Sequence, residues 1–284
     1  MIEPLLRHEP IFRPCWRKIK KSQEAGAEEM LRANERWCMN ACSRFIKGSP
    51  VWVLGRGIPS ALVIHSRRTL LPVLCDQQTV PPPRFLRGIF GAVSLHSLQG
   101  RREDILVMEN ALEKMRLHAV EKIDYDIMCI DHPPLPCRSA APVNLIIRKP
   151  APQDMDALAA LHAAYEQEEV LPAASEFRPS VSRLNIERIF AQERMLVAEL
   201  GGCLIGKINT NAAAFTRCQI GGVYVHPDYR GMGIAGRMTF EFTESLTAQG
   251  RGISLFVKKT NTAARRVYQR IGFEITGDYR IDYY

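Results

Sequence analysis

The stretch VYVHPDYRGMGIAG, Val223 to Gly236, joins a β-branched and aromatic run to an apolar helical pattern through one arginine and closely spaced glycines. A helix start presents unpaired backbone N–H groups and the positive end of the helix dipole, so it attracts anions, phosphates above all. Gly231 and Gly233 carry no Cβ, which lets the chain turn sharply and a ligand approach the main chain. Arg230 can add a charge-assisted contact to a phosphate oxygen. The spacing predicts a pyrophosphate cradle between a strand and a helix. Gly231, Gly233 and Gly236 also fit the G-x-G-x-x-G spacing of dinucleotide sites, but the next strand, ISLFVKK, ends in lysines where that motif needs an acidic residue.

The elements that must position this turn are legible around it. VNLIIR reads as a strand, DMDALAALHAAYEQEE as a helix with Met155, Leu158, Leu161 and Tyr165 at helical spacing, and RLNIERIFAQ as a second helix. MLVAEL and CLIGKINTN flank a Gly-Gly turn as a hairpin, and QIGGVYVHP is a further strand. After the turn, Ile234, Met238, Phe242 and Leu246 recur every fourth residue on a helix that stops at Gly250. ISLFVKK, NTAARRVYQRI and YRIDYY complete a strand, helix, strand series. Upstream, DHPPLPCRSAAPV, residues 131–143, reads as a linker that divides the chain into units 1–142 and 143–284. The first unit reads as one long helix over about residues 23–47, strands VWVLGRGIPSALVIH and TLLPVL, then strand, short loop and helix through GAVSLHSLQGRREDILVMENALEKM, and a last strand KIDYDIMCI. This order loosely repeats the second unit. The expected class is α+β: a mixed, largely antiparallel central sheet flanked by helices, in two tandem copies.

GGVYVHPDYRGMGIAGRM resembles the acyl-CoA signature of the GCN5-related N-acetyltransferases, with Arg230, Gly231, Met232, Gly233 and Ala235 on its Arg/Gln-x-x-Gly-x-Gly/Ala pattern. NTAARRVYQRIGF is similar to that family's second signature through Asn261, Ala264, Tyr268, Gly272 and Phe273. The resemblance covers about residues 145–284 and implies acetyl-CoA as cosubstrate, wedged between two splayed strands. Backbone groups of Val223, Tyr224 and Val225 would line the pantetheine arm, and the main chain from Gly231 through Ile234 to Ala235 would hold the pyrophosphate. Asn261 and Ala264 would sit near the pantetheine, and Tyr268 would be the general acid for the leaving thiolate. Glu168 and Glu169, between the first two helices of this unit, lie where the family's acceptor site forms and are candidate general bases. Tyr224 and Asn209 are further candidates on strands, and His226, before a proline, reads as structural. The first unit lacks the phosphate-loop pattern; HSLQGRRED offers Gly100 and Arg101 but also Glu103 and Asp104, so it reads as a degenerate copy that shapes the acceptor cleft.

Composition narrows the rest. The 284 residues carry 8 cysteines without zinc-ligand spacing; Cys38 and Cys42 read as buried hydrophobes, and no metal is expected. No run approaches the roughly 18 uncharged apolar residues of a membrane span, and the N-terminus lacks a signal core, so the expected location is cytoplasmic with no membrane partner. Residues 145–284 hold 17 Lys and Arg against 15 Asp and Glu, leaving 21 against 15 in residues 1–144, where Arg17, Lys18, Lys20 and Lys21 cluster. That balance reads as a solvated basic helix start rather than a nucleic-acid site. The expected function is acetyl transfer from acetyl-CoA to a small-molecule or protein amine in a ternary complex. An acyl-CoA sensor without turnover and a tRNA-dependent aminoacyl transferase are the other readings. The sequence leaves the acceptor and the oligomeric state open.

Overall fold

The computed structural model describes residues 15–55, 57–75, 79–90, 94–136, 140–172 and 175–284. The N-terminal stretch read for a signal core lies largely outside these residues, as do Arg56 of the Gly-Arg-Gly turn and residues 137–139 of the linker. The first half supplies β1 (Trp16–Lys18), α1 (Glu24–Ala33), α2 (Met39–Ile46), β2 (Val51–Leu54), β3 (Ala61–Ser66), β4 (Thr69–Leu74), α3 (Pro83–Phe90), β5 (Ser97–Arg101), α4 (Arg102–Glu113) and β6 (Glu121–Ile130). The second half supplies β7 (Ile146–Arg148), α5 (Met155–Tyr165), α6 (Pro179–Gln192), β8 (Met195–Leu200), β9 (Cys203–Ala213), β10 (Arg217–Val225), α7 (Ile234–Thr247), β11 (Gly252–Lys258), α8 (Thr262–Ile271) and β12 (Glu274–Tyr283). Strands and helices follow one another in the same order in both halves.

Among the described residues, twelve strands join one sheet, ordered β1-β2-β3-β4-β5-β12-β6-β11-β10-β9-β8-β7. Only β4 with β5 and β10 with β11 run parallel; the other pairs are antiparallel. Each half's last strand lies inside the other half: β12 sits between β5 and β6, and β6 between β12 and β11. At this crossing the sequence repeats. Asp124-Tyr125-Asp126-Ile127 faces Asp278-Tyr279-Arg280-Ile281, with Tyr125 directly opposite Tyr279. Arg280 grips Asp124 with two hydrogen bonds of 2.8 and 2.9 Å, and Lys259 reaches both Asp126 and Asp278. Tyr279 stacks on Phe256 of β11 with ring centroids 4.1 Å apart.

The two-residue period of the strands divides the core between the faces. Val51, Val53, Leu62 and Ile64 pack against α1 and α2, whereas Ala61, Val63, Leu70 and Leu98 pack against α3 and α4. In the second half, Val197 and Met195 meet α5 and α6 on one face. Ile234, Met238, Phe242 and Leu246 bury the apolar stripe of α7 on the other, as their spacing predicts.

Three details depart from the sequence reading. The helix expected over 23–47 is two, because Asn34 Nδ2 donates to the Met30 carbonyl at 2.8 Å and closes α1. In the break, Glu35 accepts from Thr216 N–H and Oγ1–H at 2.8 and 2.6 Å and from Arg217 N–H at 3.1 Å, tying the halves together. α3 was hidden behind three prolines; Pro83 opens it, and Leu86, Ile89 and Phe90 bury its inner side. No loop separates β5 from α4.

The exchange of last strands makes a testable statement about cooperativity. Removing residues 274–284 takes the partner of both β5 and β6, so it should unfold the first half as well as the second. Circular dichroism and limited proteolysis read this; a truncated chain whose first half stays protease-resistant contradicts it.

Candidate functional site

β10 and β11 are hydrogen-bonded neighbours only where Arg217–Ile220 face Gly252–Leu255. Beyond Leu255, β11 continues on its other side against β6, with Lys258 opposite Tyr125. The register of β10 on β9 slips between Gly221 and Tyr224. Gly222 sits at φ 59°, a conformation other residues avoid, and a Cβ there would overlap the Asn209 carboxamide and lie 2.9 Å from Lys207 Nζ. His226 N–H donates to the Ile205 carbonyl at 2.8 Å, so by antiparallel alternation Tyr224 addresses β9 and Val225 addresses the gap toward β11. The expected splayed pair is present, and Val225 points its backbone into the opening.

The opening leads to the turn that the sequence marks. After a short 3-10 turn over Pro227–Tyr229, Gly231 (φ 79°) and Gly233 (φ 73°) bring the chain into α7, and Gly233 at the N-cap has no side chain to cap the helix. Nothing lies within 4 Å of a Cβ built on Gly231. Met232 is exposed, Ile234 is buried in the core and Ala235 packs beside it. Arg230 donates from Nε to the Val225 carbonyl at 3.0 Å and from Nη2 to Glu168 at 2.7 Å, and its guanidinium lies 5.4 Å from the centre of the Tyr224 ring. Both partners of the ion pair are nearly half exposed, so it is worth less than about 1 kcal/mol and an incoming phosphate can displace it.

Glu168 and Glu169 lie on a single π turn, Glu166–Val170, that follows α5. The Arg230 hydrogen bond holds the Glu168 carboxyl below its usual range. Glu169 takes a different partner: Asn261 Nδ2 donates to it at 3.3 Å, and Lys258 Nζ lies 3.5 Å away. Asn261 also caps α8 by accepting from Ala264 N–H at 3.0 Å. About two turns beyond Asn261, Tyr268 is 8% exposed, and burial, then the charges of Tyr165 and Glu169, push its phenol well above the usual range. The structure thus brings Glu169, Asn261, Ala264 and Tyr268 together and turns Glu168 toward Arg230. The His226 ring lies 3.6 Å from Asp228 and meets Tyr229 edge-on.

Two residues in this region have no assigned role in the sequence reading. Tyr165, there a helix-face residue, is driven up to about 12 by burial despite a hydrogen bond with the Gly222 backbone, and its ring meets Tyr224 edge-on. Lys207 is fully buried on β9; its signal was a lysine at a strand position facing the helix layer, where an apolar residue is the rule. Asn209 is buried beside it and bonded to Asn211 and the Thr210 carbonyl. Two cavities, of 290 and 420 Å³, lie elsewhere, beside Arg217 and Gly252 and beside Arg101 and Thr276.

In the first half, element order places the counterpart of the β10–α7 turn between β4 and α3, not at the HSLQGRRED segment expected from sequence. Residues 75–82 there contain no glycine. Arg101 Nη2 donates to the Leu74 carbonyl at 3.1 Å and to Asp104 at 3.0 Å, lacing the ends of β4 and β5 where the second half is open.

Residues 158–273 match the model of the acetyltransferase (GNAT) family, whose cosubstrate is acetyl-CoA. Among curated proteins, none matches this sequence. Solved structures share the fold at low identity. A Drosophila melanogaster protein is 12% identical with a TM-score of 0.65 over 96% of this chain and 99% of its own. A GCN5-related N-acetyltransferase from Sphaerobacter thermophilus is 19% identical with a TM-score of 0.56 over 95% of each chain. Another from Kribbella flavida is 15% identical, with a TM-score of 0.56 over 87% of this chain and 95% of its own. The match to the GNAT family model thus lies within the second half of the chain, over residues 158–273.

Proposed function

We propose that this protein is a cytoplasmic, acyl-CoA-dependent N-acetyltransferase that moves acetyl from acetyl-CoA to a small-molecule or protein amine by direct attack in a ternary complex. One observation carries the reading: past Ile220, β10 has no partner strand on its β11 side, and it runs through Val225 into the start of α7, whose N-cap Gly233 has no side chain. An extended pantetheine arm fits such an edge as an added strand, through the backbone of Val223 and Val225. The main chain from Gly231 to Ala235 and the Arg230 guanidinium fit a diphosphate. In this reading units 1–142 and 143–284 share one sheet, and the second alone binds the cosubstrate.

The amine must lose a proton as its nitrogen bonds the thioester carbon, and the departing sulfur must gain one as the C–S bond breaks. Glu169, directly or through a water, takes the first. Tyr268, held protonated by burial, supplies the second. Glu168 is the weaker base candidate because its ion pair with Arg230 holds its carboxyl down. Cys203 lies exposed in the β8–β9 hairpin, and Cys218 is buried against Arg251, so neither thiol serves a covalent route.

Turnover of acetyl-CoA against an amine panel, with calorimetry of acetyl-CoA binding, tests the reading; binding with no transfer to any amine would favour a sensor. Glu169→Gln should lower kcat about 100-fold or more, whereas Glu168→Gln should keep kcat within a few-fold and tighten acetyl-CoA binding by freeing Arg230. The reverse pattern assigns the base to Glu168. Tyr268→Phe should slow transfer about tenfold, since a thiolate leaves readily near neutral pH, with the pH profile of kcat as the readout.

A further inference from the structure

Lys207 is a buried charge that the proton transfers above do not use. Its side chain is 0% exposed, and its Nζ donates to the Gly222 carbonyl at 3.0 Å. The same nitrogen lies 3.4 Å from Asn209 Oδ1 and 4.4 Å from the centre of the Tyr165 ring. Taking an ammonium out of water is costly, and its strongest hydrogen bond goes to one carbonyl at the slip in β10.

The Gly222 carbonyl and the Val223 N–H belong to one peptide unit, and no described peptide bond is cis, so the two point in opposite directions. The carbonyl turns to Lys207. The N–H therefore turns away from it, at a residue that has no register partner on β9 or on β11. A carbonyl that accepts from a cation draws electron density along the amide and makes the N–H of the same unit a stronger donor.

We propose that Lys207 is a positioning residue for acyl transfer: by holding and polarising the Gly222–Val223 peptide, it aims the Val223 N–H at the thioester carbonyl oxygen along the open edge of β10. This rests on the acyltransferase reading of the site. No bond to Lys207 forms or breaks; its work is electrostatic, on the oxygen that gains charge during attack.

The surroundings fix the sign of the pH dependence. α5 presents Tyr165 and, behind it, His162, 5.9 Å from the Tyr165 ring; the π turn presents Glu166, and β10 presents Tyr224. β8 offers only apolar Val197 opposite Lys207, α2 packs at the other end of β9 beside Ala214, and α7 packs Met238 on the far face of the sheet. Burial pulls Lys207 down to about 7, opposed only by the Glu166 carboxylate, itself held at about 2 by His162, Ser182 and Asn185 against its own burial. The ammonium is present below about pH 7 and lost above it. Lys207 thus adds a falling alkaline component to a rate that otherwise rises as the amine deprotonates.

Lys207→Met replaces the buried charge by an apolar chain of similar length, a change that generally preserves folding, and Lys207→Gln keeps a neutral donor. In the ligand-free protein, the Val223 amide 15N resonance should titrate with a midpoint of about 7 and stay flat in both variants. With acetyl-CoA and no amine, the hydrolysis kcat of Lys207→Met should fall about tenfold or more at KM changed less than about threefold, its alkaline fall removed. Lys207→Gln should lie between it and the wild type. A Val223 resonance indifferent to pH in the wild type, or a variant with unchanged kcat and profile, overturns the proposal. If the wild type binds no acetyl-CoA, the acyltransferase reading fails, while the Val223 titration still decides whether Lys207 polarises that peptide.

Discussion

Two parallel strands that begin as neighbours and then part set the terms for this molecule. Parallel strands in a twisted sheet normally stay hydrogen-bonded along their length, because an open edge costs backbone hydrogen bonds. β10 and β11 keep theirs only as far as Ile220 and Leu255. Beyond that point β11 is held by β6 alone, its partner on the other edge from Ile253 onward, and β10 has no partner strand on that side up to the turn before α7. Several residues that look unrelated in sequence serve this parting: Gly222 adopts a backbone angle others resist, Asn209 fills the space a Cβ would need, and Lys207 bonds the carbonyl that the slip turns inward.

The parting is stable because the rest of the sheet is shared. Were β6 to end the first half alone, β11 would have no partner past Leu255. Exchange of last strands gives it one, and gives β5 a partner in β12 by the same stroke. The facing Asp-Tyr-x-Ile tetrads, the Arg280–Asp124 pair and the Tyr279–Phe256 stack mark the centre of this arrangement. The first half repeats the element order but not the opening, since Arg101 bridges its parallel strands to Asp104. One sheet therefore holds an open splay and a laced one on either side of its central β12–β6 pair.

Most of the second half was legible in the sequence because its signals are local: fourfold apolar spacing on α7, the Gly-Gly hairpin, and glycines on either side of a helix start. Asn261 and Tyr268 could be placed because a helix fixes the faces of residues seven apart. The first half was harder for physical reasons. Asn34 ends a helix from inside a continuing helical pattern, and Pro83 both hides α3 and begins it. The strand exchange and Lys207 were out of reach, since both depend on which distant segments meet. Periodicity could say that Lys207 faces a helix layer, but not that Tyr165 and the Gly222 carbonyl wait there.

The central claim is that the β10 edge and the start of α7 together receive one extended, diphosphate-bearing ligand. Hydrogen–deuterium exchange with and without CoA addresses it most directly, read on peptides that cover Gly221 to Gly236. Exchange should slow at Val223, Val225 and the amides from Gly231 to Ala235, with the first-half connection between β4 and α3 unchanged. Protection confined to other segments, or none at saturating CoA, would contradict it.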